Sequence, residues 1–265
     1  MPPITLTNSY APPRPAEPSD EELLHPPGGV YDVNFCFPVP PELESEKVRL
    51  VPFVPSVHMP LFQEKTAQHP SLFKYVSFGP LLALPDALQM YERMIRSDPT
   101  ATWFAVLDKT RADSSAADAG LGLGGAFAGD IGILSASPGQ SQAEIGYIMY
   151  LPESQRTHVN THAVGLLLHY LLDAPAQGGL GLRRVQWKAN AENAASVRAA
   201  LRLGFRSEGT LRWHMVLPEG KEGAEAREDG DGVRGPGRHS AMLSLCWDDW
   251  VGGGRERVDM LMARD

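Results

Sequence analysis

Apolar residues recur along this chain with the two periods that distinguish strands from helices. Short apolar runs bounded by polar turns predict strands at 47–53, 102–108, 129–138, 143–150, 183–190, 205–217 and 240–247. Longer stretches with apolar residues at helical spacing predict helices at 56–68, 84–97, 160–173 and 193–203. The chain is therefore expected to fold as strands and helices mixed along the sequence.

Two of the predicted helices carry further local signals. The helix at 84–97 has an apolar stripe at helical spacing, formed by Leu84, Leu88, Tyr91 and Ile95. Asp86 lies in its first turn, where a negative charge suits the helix dipole. The helix at 193–203 is expected to end at Gly204, because glycine readily adopts the left-handed conformation of a C-terminal cap.

Composition narrows the class of protein. The chain has 265 residues, of which 43% are hydrophobic, so it can bury a sizeable core. Its net charge of −8 makes nucleic acid an unexpected partner. It has no apolar run long enough to span a membrane and no secretory signal. Cys36 and Cys246 are far apart and lack metal-ligand spacing, which favours a reducing, cytoplasmic location.

Composition also divides the chain into segments. Residues 1–45 are rich in proline and acidic residues and are expected to form an extended arm, with apolar contacts offered by residues 30–39. Residues 46–250 form the predicted domain, with flexible insertions at about 110–128 and 219–238. Residues 251–265 are assigned to a C-terminal tail.

A glycine-rich stretch at 120–125 matches the pattern G-x-G-x-x-G. Dinucleotide binding requires a strand before this pattern and a helix after it. Here a polar stretch precedes the glycines and a predicted strand follows them. A flexible connection between strands is therefore favoured over a nucleotide site.

The turn before the 160–173 helix offers chemistry of a different kind. A helix start leaves about four N–H donors unpaired and carries about half a positive charge, so it attracts phosphates. The turn from Gln155 to Thr161 supplies such donors, and Arg156 adds a fixed positive charge. Pyrophosphate is a natural ligand. The alternative is an ordinary helix start capped by Asn160 or Thr157.

Three histidines share one face of this helix, because His158, His162 and His169 fall within about 40° of one another on an ideal helix. The zinc-protease pattern needs glutamate directly after the first histidine, and Val159 stands there. No metal site is predicted, and the histidines are expected to be partly exposed on the polar side of the helix.

At this point the sequence resembles a known family. The strand EIGYIMY, the motif P-x-x-Q-R-T, a helix, and then VQWKAN and AENAASVRAALRLGFRSEGTLRWHMV resemble the GNAT superfamily of acyl-CoA-dependent N-acetyltransferases. The similarity extends from Val48 to Trp250 and is greatest to the RimJ/RimL-like branch, whose aromatic segment is similar to SLFKYVSFGPL. It implies an α/β (α+β) fold, with a mixed central sheet splayed between the fourth and fifth predicted strands and flanked by helices.

The resemblance also implies acetyl-CoA as cofactor and suggests which residues bind it. The expected pyrophosphate loop consists of Gln155, Arg156, Thr157, His158, Val159, Asn160 and Thr161. The backbone of Ile148, Met149 and Tyr150 would contact the pantetheine arm, and Asn193 and Ser196 would face the thioester. The chain departs from the family motif at His158 and Asn160, which replace small residues, and at His162, which replaces glutamate. The first two side chains must point away or they narrow the site.

Acetyl transfer to an amine needs a base, because a free alkylammonium is protonated at neutral pH. Glu144 leads the strand that faces the expected cleft and is the candidate base, with Tyr147 and His214 in reserve. Many family members have a tyrosine on the helix at 193–203. This chain has none there, so Ser196 is expected to assist the leaving thiolate.

Several questions stay open at the level of sequence. The acceptor is an amine, either a small molecule or a protein N-terminus, and the oligomeric state is not indicated. A degenerate family member that binds CoA or a partner without catalysis is the alternative function. The related branch has Arg-Asp-Ser/Thr before its last strand, whereas this chain has Arg238-His239-Ser240, a change expected to alter the substrate pocket.

Overall fold

The structure is a computed structural model that describes residues 18–25, 30–111, 123–227, 230 and 232–264. Its centre is a single eight-stranded sheet with the strand order β1-β2-β3-β4-β5-β6-β8-β7. The strands are β1 (Leu43–Glu44), β2 (Val48–Pro52), β3 (Thr102–Asp108), β4 (Ala126–Ser137), β5 (Gln142–Tyr150), β6 (Arg184–Asn190), β7 (Arg206–Val216) and β8 (Gly237–Cys246).

Helices cover both faces of this sheet. They are α1 (Asp20–Leu24), α2 (Pro55–Ala67), α3 (Leu84–Tyr91), α4 (His158–Leu172), α5 (Ala194–Arg202) and α6 (Arg255–Arg264). A π-helical turn, Glu92–Arg96, extends α3, and another, Trp250–Gly254, precedes α6. Among the described helices, none is long and apolar enough to cross a membrane.

The sheet opens between β5 and β6, which are its one parallel pair within the described strands. The two strands pair only at their beginnings, where residues 142–144 lie opposite residues 184–186. Beyond that point they diverge. The predicted splay between the fourth and fifth strands is thus confirmed. These strands are numbered β5 and β6 here, because the short strand β1 precedes the strands predicted from sequence.

A β-bulge in β5 accompanies this divergence. Between the pairs Gly146–Gly132 and Met149–Asp130, β5 uses one residue more than β4. Tyr147 lies at this point with a positive φ of 46°. A bulge bends its strand and increases its twist. The end of β5 is therefore turned away from the straight path that would keep it paired with β6.

Two hydrophobic cores lie on opposite faces of the sheet. One joins the sheet to α4, α5 and α6 and includes Val159, Val185 and Leu243, each fully buried. The other joins the sheet to α2, α3 and the segment 70–81, and is centred on Trp103. The Trp103 ring contacts five aromatic neighbours, which are Phe53, Phe62, Phe78, Tyr91 and Tyr147. The cleft between β5 and β6 therefore lies between two rigid packed layers.

The segment after residue 250, assigned from sequence to a tail, contains α6, which packs on α4. Val258 is fully buried there. A Cβ on Gly165 would lie 2.4 Å from Met262 Sδ, so the glycine permits the close approach of the two helices. His169 bridges the helices, with Nδ1 2.8 Å from Asp173 Oδ2 and Nε2 2.9 Å from Asp259 Oδ1.

The predicted arm and insertions are only partly within the described residues. In the arm, Phe35 and Phe37 pack against the core, as expected for residues 30–39. Residues 120–122 of the glycine-rich stretch at 120–125 lie outside the described ranges, and β4 begins directly after the stretch at Ala126. In the second insertion, Lys221 Nζ donates hydrogen bonds to the carbonyls of Phe73 (2.6 Å) and Phe78 (2.8 Å), which anchors that part of the loop.

One buried group carries a clear cost for folding. Asp130 on β4 is fully buried, and within the described chain neither carboxylate oxygen has a hydrogen-bond partner. Burial therefore raises the pKa of Asp130 well above its usual range. The folded protein holds this group neutral, whereas the unfolded chain ionises it above a pH of about 4.

We predict that Asp130→Asn stabilises the protein, and that the gain increases with pH. Folding of the wild type must add a proton to Asp130, which costs about 1.4 kcal/mol for each pH unit above the unfolded pKa until the folded pKa is reached. Asparagine has no such cost. Urea unfolding at pH 5, 6.5 and 8 should show a widening gap in the free energy of unfolding.

The matched control is Asp248→Asn, because Asp248 is exposed. Its effect should be small and nearly independent of pH. A gap for Asp130→Asn that stays constant from pH 5 to pH 8 would contradict a protonated, buried carboxyl group.

Candidate active site

The divergence of β5 and β6 creates a cleft of about 330 Å³. Residues from both strands, from the start of α5 and from β7 and β8 line it: Glu144, Gly146, Tyr147, Ile148, Lys188, Asn190, Asn193, Ser196, His214 and Arg238. Of the predicted catalytic and thioester-facing residues, Glu144, Asn193 and Ser196 are thus brought together. The reserve candidates Tyr147 and His214 lie in the same cleft.

Side chains along β5 and β6 point alternately to the two faces of the sheet, and this alternation decides which of them face α3. Ala143, Ile145 and Val185 belong to the core that faces α4 and α5. Successive side chains of a strand point to opposite faces. Glu144 and Lys188 therefore point to the other face, toward α3 and the segment 70–81.

Glu144 is a buried carboxylate with one oxygen tied to its neighbours. Its Oε2 lies 2.8 Å from Lys188 Nζ and accepts a 3.3 Å hydrogen bond from Gln186 Nε2. Its Oε1 lies beside Gly146, since a Cβ on that glycine would be only 3.4 Å away. Burial raises the pKa of Glu144, and the neighbouring Lys188 opposes the rise. Burial thus makes this carboxylate more basic than an exposed one.

The start of α5 contributes two polar groups to the cleft. The Asn193 Oδ1 accepts a 3.1 Å hydrogen bond from the Ser196 backbone N–H and so caps the helix. The Ser196 Oγ accepts a 3.0 Å hydrogen bond from Trp187 Nε1. Because a hydroxyl both accepts and donates, Ser196 keeps its own proton for a second partner. Asn193 thus serves as a cap and lines the cleft as well.

The turn from β5 into α4 is held by its own side chains. Gln155 Nε2 donates to the Tyr150 carbonyl at 3.0 Å. Thr157 is the N-cap residue: its Oγ1 accepts from the Val159 N–H at 3.2 Å and donates to the Ser154 carbonyl at 2.7 Å. The sequence allowed either Asn160 or Thr157 as the N-cap residue, and in the structure it is Thr157.

Three consecutive backbone amides in this turn point to no acceptor. Across the described residues, the N–H groups of Arg156, Thr157 and His158 donate no hydrogen bond. Arg156 is exposed and has a left-handed φ of 59°. Together with the positive end of the α4 dipole, these donors form a site suited to an anion.

The remaining side chains of the turn are directed into the protein. Val159 and Thr161 are fully buried, and Arg202 Nη2 donates to Thr161 Oγ1 at 2.5 Å. Asn160 is half-buried. At the end of β5, the side chains of Met149 and Tyr150 are also buried, whereas Ile148 lines the cleft. For the buried residues of the turn and of the end of β5, the backbone is the part that a ligand can reach.

The three histidines of α4 have separate partners. His158 Nε2 lies 3.1 Å from Asp108 Oδ1 at the end of β3, and His162 Nδ1 lies 2.9 Å from Ser45 Oγ. His169 bridges to α6, as described above. His162 is only 3% exposed, so the expectation of a partly exposed residue was wrong there. No cluster of metal-ligand atoms among the described residues includes any of the three.

The reserve candidates differ in their surroundings. The Tyr147 ring packs against Phe78 at 5.5 Å between ring centroids, and burial raises the pKa of its hydroxyl. His214 Nδ1 lies 3.0 Å from Ser240 Oγ. Burial lowers the pKa of His214, and the positive charges of Lys188 and Arg238 lower it further.

Sequence reasoning did not single out Gln186 and Lys188 as partners of Glu144. The alternation in the strand VQWKAN gave a signal, because it places both residues on one face of β6. Their pairing with Glu144 depends on the parallel register of β5 and β6, which fixes Glu144 opposite Gln186.

Comparisons with known proteins agree with this geometry. The family model described as "Acetyltransferase (GNAT) domain" matches residues 47–206. The chain therefore belongs to the GNAT acetyltransferase family, enzymes that use acetyl-CoA. A search among curated proteins gave no match.

Solved structures share the fold. A GCN5-related N-acetyltransferase from Brucella melitensis has a TM-score of 0.65 at 24% identity, covering 85% of this chain and 86% of that one. RimJ from Mycobacterium smegmatis, in complex with CoA-disulfide, has a TM-score of 0.55 at 16% identity, with coverage of 80% and 88%. The spermidine N-acetyltransferase of Vibrio cholerae, in complex with CoA and spermine, has a TM-score of 0.54 at 14% identity, with coverage of 78% and 99%.

The residues of this chain fit acetyl-CoA. A pyrophosphate needs clustered donors, and the amides at 156–158 provide them without competition from the His158 ring, which is bonded to Asp108. An amide-rich arm needs unpaired strand edges, and β5 and β6 leave theirs free beyond Glu144 and Gln186.

Proposed function

We propose that this protein transfers an acetyl group from acetyl-CoA to a primary amine by direct attack of the amine in a ternary complex. The acceptor is a small molecule or a protein N-terminus. The observation that carries the proposal is the buried carboxylate of Glu144, with its Oε1 beside Gly146 in the cleft where β5 and β6 part. The motifs around Gln155 and Gly204 further support membership of the RimJ/RimL-like branch.

The pyrophosphate-binding part of the proposal rests on the β5–α4 turn, residues 155–161. The amides of Arg156, Thr157 and His158 donate to phosphate oxygens, and the Arg156 guanidinium adds charge. Gln155 fixes the turn on the end of β5. Val159, Asn160 and Thr161 form the first turn of α4, whose dipole strengthens the site.

The strand edges guide the rest of the cofactor toward the cleft. In our proposal the backbone of Ile148, Met149 and Tyr150 contacts the pantetheine arm, as an added strand would. Asn193 and Ser196 then lie near the thioester, since both line the cleft at the start of α5. When bound, acetyl-CoA supplies the acetyl group as an activated thioester.

Glu144 acts as the general base. Its Oε1 accepts a proton from the acceptor amine, directly or through water, while Oε2 stays bonded to Lys188 and Gln186. Burial makes the Glu144 carboxylate more basic than an exposed one, and Lys188 limits this effect. Ser196 would donate a hydrogen bond to the leaving sulfur, because its oxygen is already oriented by Trp187.

A second candidate function is binding of CoA without catalysis. One observation favours it: α5 has no tyrosine, so the usual donor to the thiolate in many family members is replaced by Ser196. Titration with acetyl-CoA, followed by measurement of free thiol release with a panel of amines, distinguishes the two functions. Binding without release by any amine would support the second.

We predict that the loop binds the cofactor through its backbone. His158→Ala should leave the dissociation constant for CoA within about threefold, because the ring already points to Asp108. His158→Pro should raise it about tenfold or more, since it removes one amide donor to a charged group. Proline suits this position, the first residue of α4, after the extended Thr157.

Isothermal titration calorimetry measures both dissociation constants, and circular dichroism controls for loss of α4. Equal affinities for the two variants would show that the His158 amide does not contact the cofactor. A large loss in His158→Ala would mean that the ring itself takes part.

We predict that Glu144→Gln lowers kcat by about 10²- to 10⁴-fold, the usual contribution of a general base. Glutamine has nearly the same shape and cannot accept the proton. The affinity for acetyl-CoA, measured by calorimetry, should change little. An activity within a few fold of wild type would exclude Glu144 as the base.

The pH profile gives a separate prediction about Lys188. The base must be deprotonated to act, so activity falls as pH drops through the pKa of Glu144. Because Lys188 opposes the rise in that pKa, Lys188→Met should move the acidic limb of kcat/KM to higher pH. Initial rates between pH 5 and pH 9 test this, and an unmoved limb would assign it to another group.

A further inference from the structure

Arg238 is a buried cation in the cleft without a counter-ion of its own. The residue is 9% exposed and lines the cleft from β8. Its Nε is buried without a hydrogen-bond partner, and no carboxylate in the described ranges lies within ion-pair distance of its guanidinium. A buried guanidinium with unused donors costs free energy unless a ligand pairs with it.

The other charged groups around the cleft do not neutralise Arg238. The carboxylate of Glu144 is already paired with Lys188. Asp98 lies exposed at the mouth, where its Oδ1 accepts hydrogen bonds from the N–H and hydroxyl of Thr100. His214 contributes no negative charge. Among the described residues, the Arg238 guanidinium thus has no ion-pair partner.

The position of Arg238 places it near the reacting atoms. Ser240 pairs with Asn190 in the register of β8 and β6, and Arg238 lies two residues before Ser240 on the same face. It is close enough to Glu144 to interact with the charge of that carboxylate. A planar guanidinium matches the geometry of a carboxylate, with two parallel N–H donors.

We propose that Arg238 binds a carboxylate of the acceptor, so that the acceptor is a small amino carboxylate with its amine a few bonds from the acid group. This inference rests on the acetyltransferase function proposed above. The cleft, with a volume of about 330 Å³, has room for a small acceptor of this kind. An unpaired positive charge beside the reacting centre disfavours polyamines, whose additional ammonium groups would meet Arg238 and Lys188.

The transfer itself balances without any further reactant. The amine nitrogen forms a bond to the acetyl carbon, and the carbon–sulfur bond breaks with its electron pair on sulfur. One proton leaves the amine through Glu144, and one proton ends on the thiol. Arg238 takes no part in these steps: it is a positioning residue that holds the acceptor through its carboxylate.

The test compares acceptors that differ only in the acid group. L-alanine and L-alaninamide, β-alanine and its amide, and 4-aminobutyrate and its amide form three matched pairs, with spermidine as a polyamine. In at least one pair the wild type should prefer the acid by about 10- to 100-fold in kcat/KM, the range expected for hydrogen bonds to a charged group. Most of the difference should appear in KM.

Variants test whether the preference for the acid over the amide depends on Arg238. In Arg238→Met the ratio of acid to amide should fall to within about threefold of unity, and Arg238→Lys should restore part of it, since lysine keeps the charge and loses the fork. Arg212→Met, at an exposed position of β7, is the matched control and should keep the wild-type ratio. A purely structural role for Arg238 would lower activity on both members of a pair and leave the ratio unchanged, which overturns the proposal.

Binding separates this inference from the proposed function. Calorimetry on the protein saturated with CoA measures affinity for each acid and amide without turnover. If amides or spermidine are acetylated and no acid is preferred, the enzyme function stands and the role of Arg238 falls. If no amine is acetylated but acids bind in an Arg238-dependent way, the carboxylate site stands and the enzyme function falls. Absence of any preferred binding of acids overturns the inference.

Discussion

The parting of two parallel strands is the constraint on which the site depends. One additional residue in β5, at the positive φ of Tyr147, bends that strand while β4 stays paired with it. The same distortion opens the cleft, leaves backbone groups on the facing edges unpaired, and brings Glu144 to the point where the strands separate. A straight β5 would bond to β6 along its length and leave no room for a substrate.

Inside the cleft, burial and neighbouring charges have opposite effects on the ionisation of Glu144 and Arg238. Removing Glu144 from water favours its neutral form, while Lys188 favours the ionised form, so the two shift the pKa of this proposed base in opposite directions. Arg238 is also buried, and in the part of the chain that the structure describes its guanidinium has no ion-pair partner. Because buried charges are generally paired, this asymmetry points to a partner that arrives with the substrate.

Local sequence signals predicted the elements but not the contacts between them. Apolar periodicity predicted β2 to β8 and the main helices to within about three residues at each end, and Gly204 ends α5 with a left-handed φ of 100° as expected. The bulge at Tyr147 has no such signal, since tyrosine does not favour a positive φ. Helix α6 escaped prediction because its sequence is polar, and its packing uses Gly165 of a distant helix. The pairing of Lys188 with Glu144 likewise requires the register between strands.

The loop at the start of α4 shows how a departure from a motif leaves the backbone donors of a proposed binding site accessible. The family pattern has small residues where this chain has His158 and Asn160, and small residues matter because they let a phosphate approach the backbone. Here Asp108, at the end of β3, holds the His158 ring to one side, and the amides remain without acceptors. Recognition through the main chain depends on where a side chain points, and that direction is set by a residue about fifty positions away in the sequence. Asp108 and His158 are therefore best understood as one unit, in which the carboxylate compensates for the larger residue.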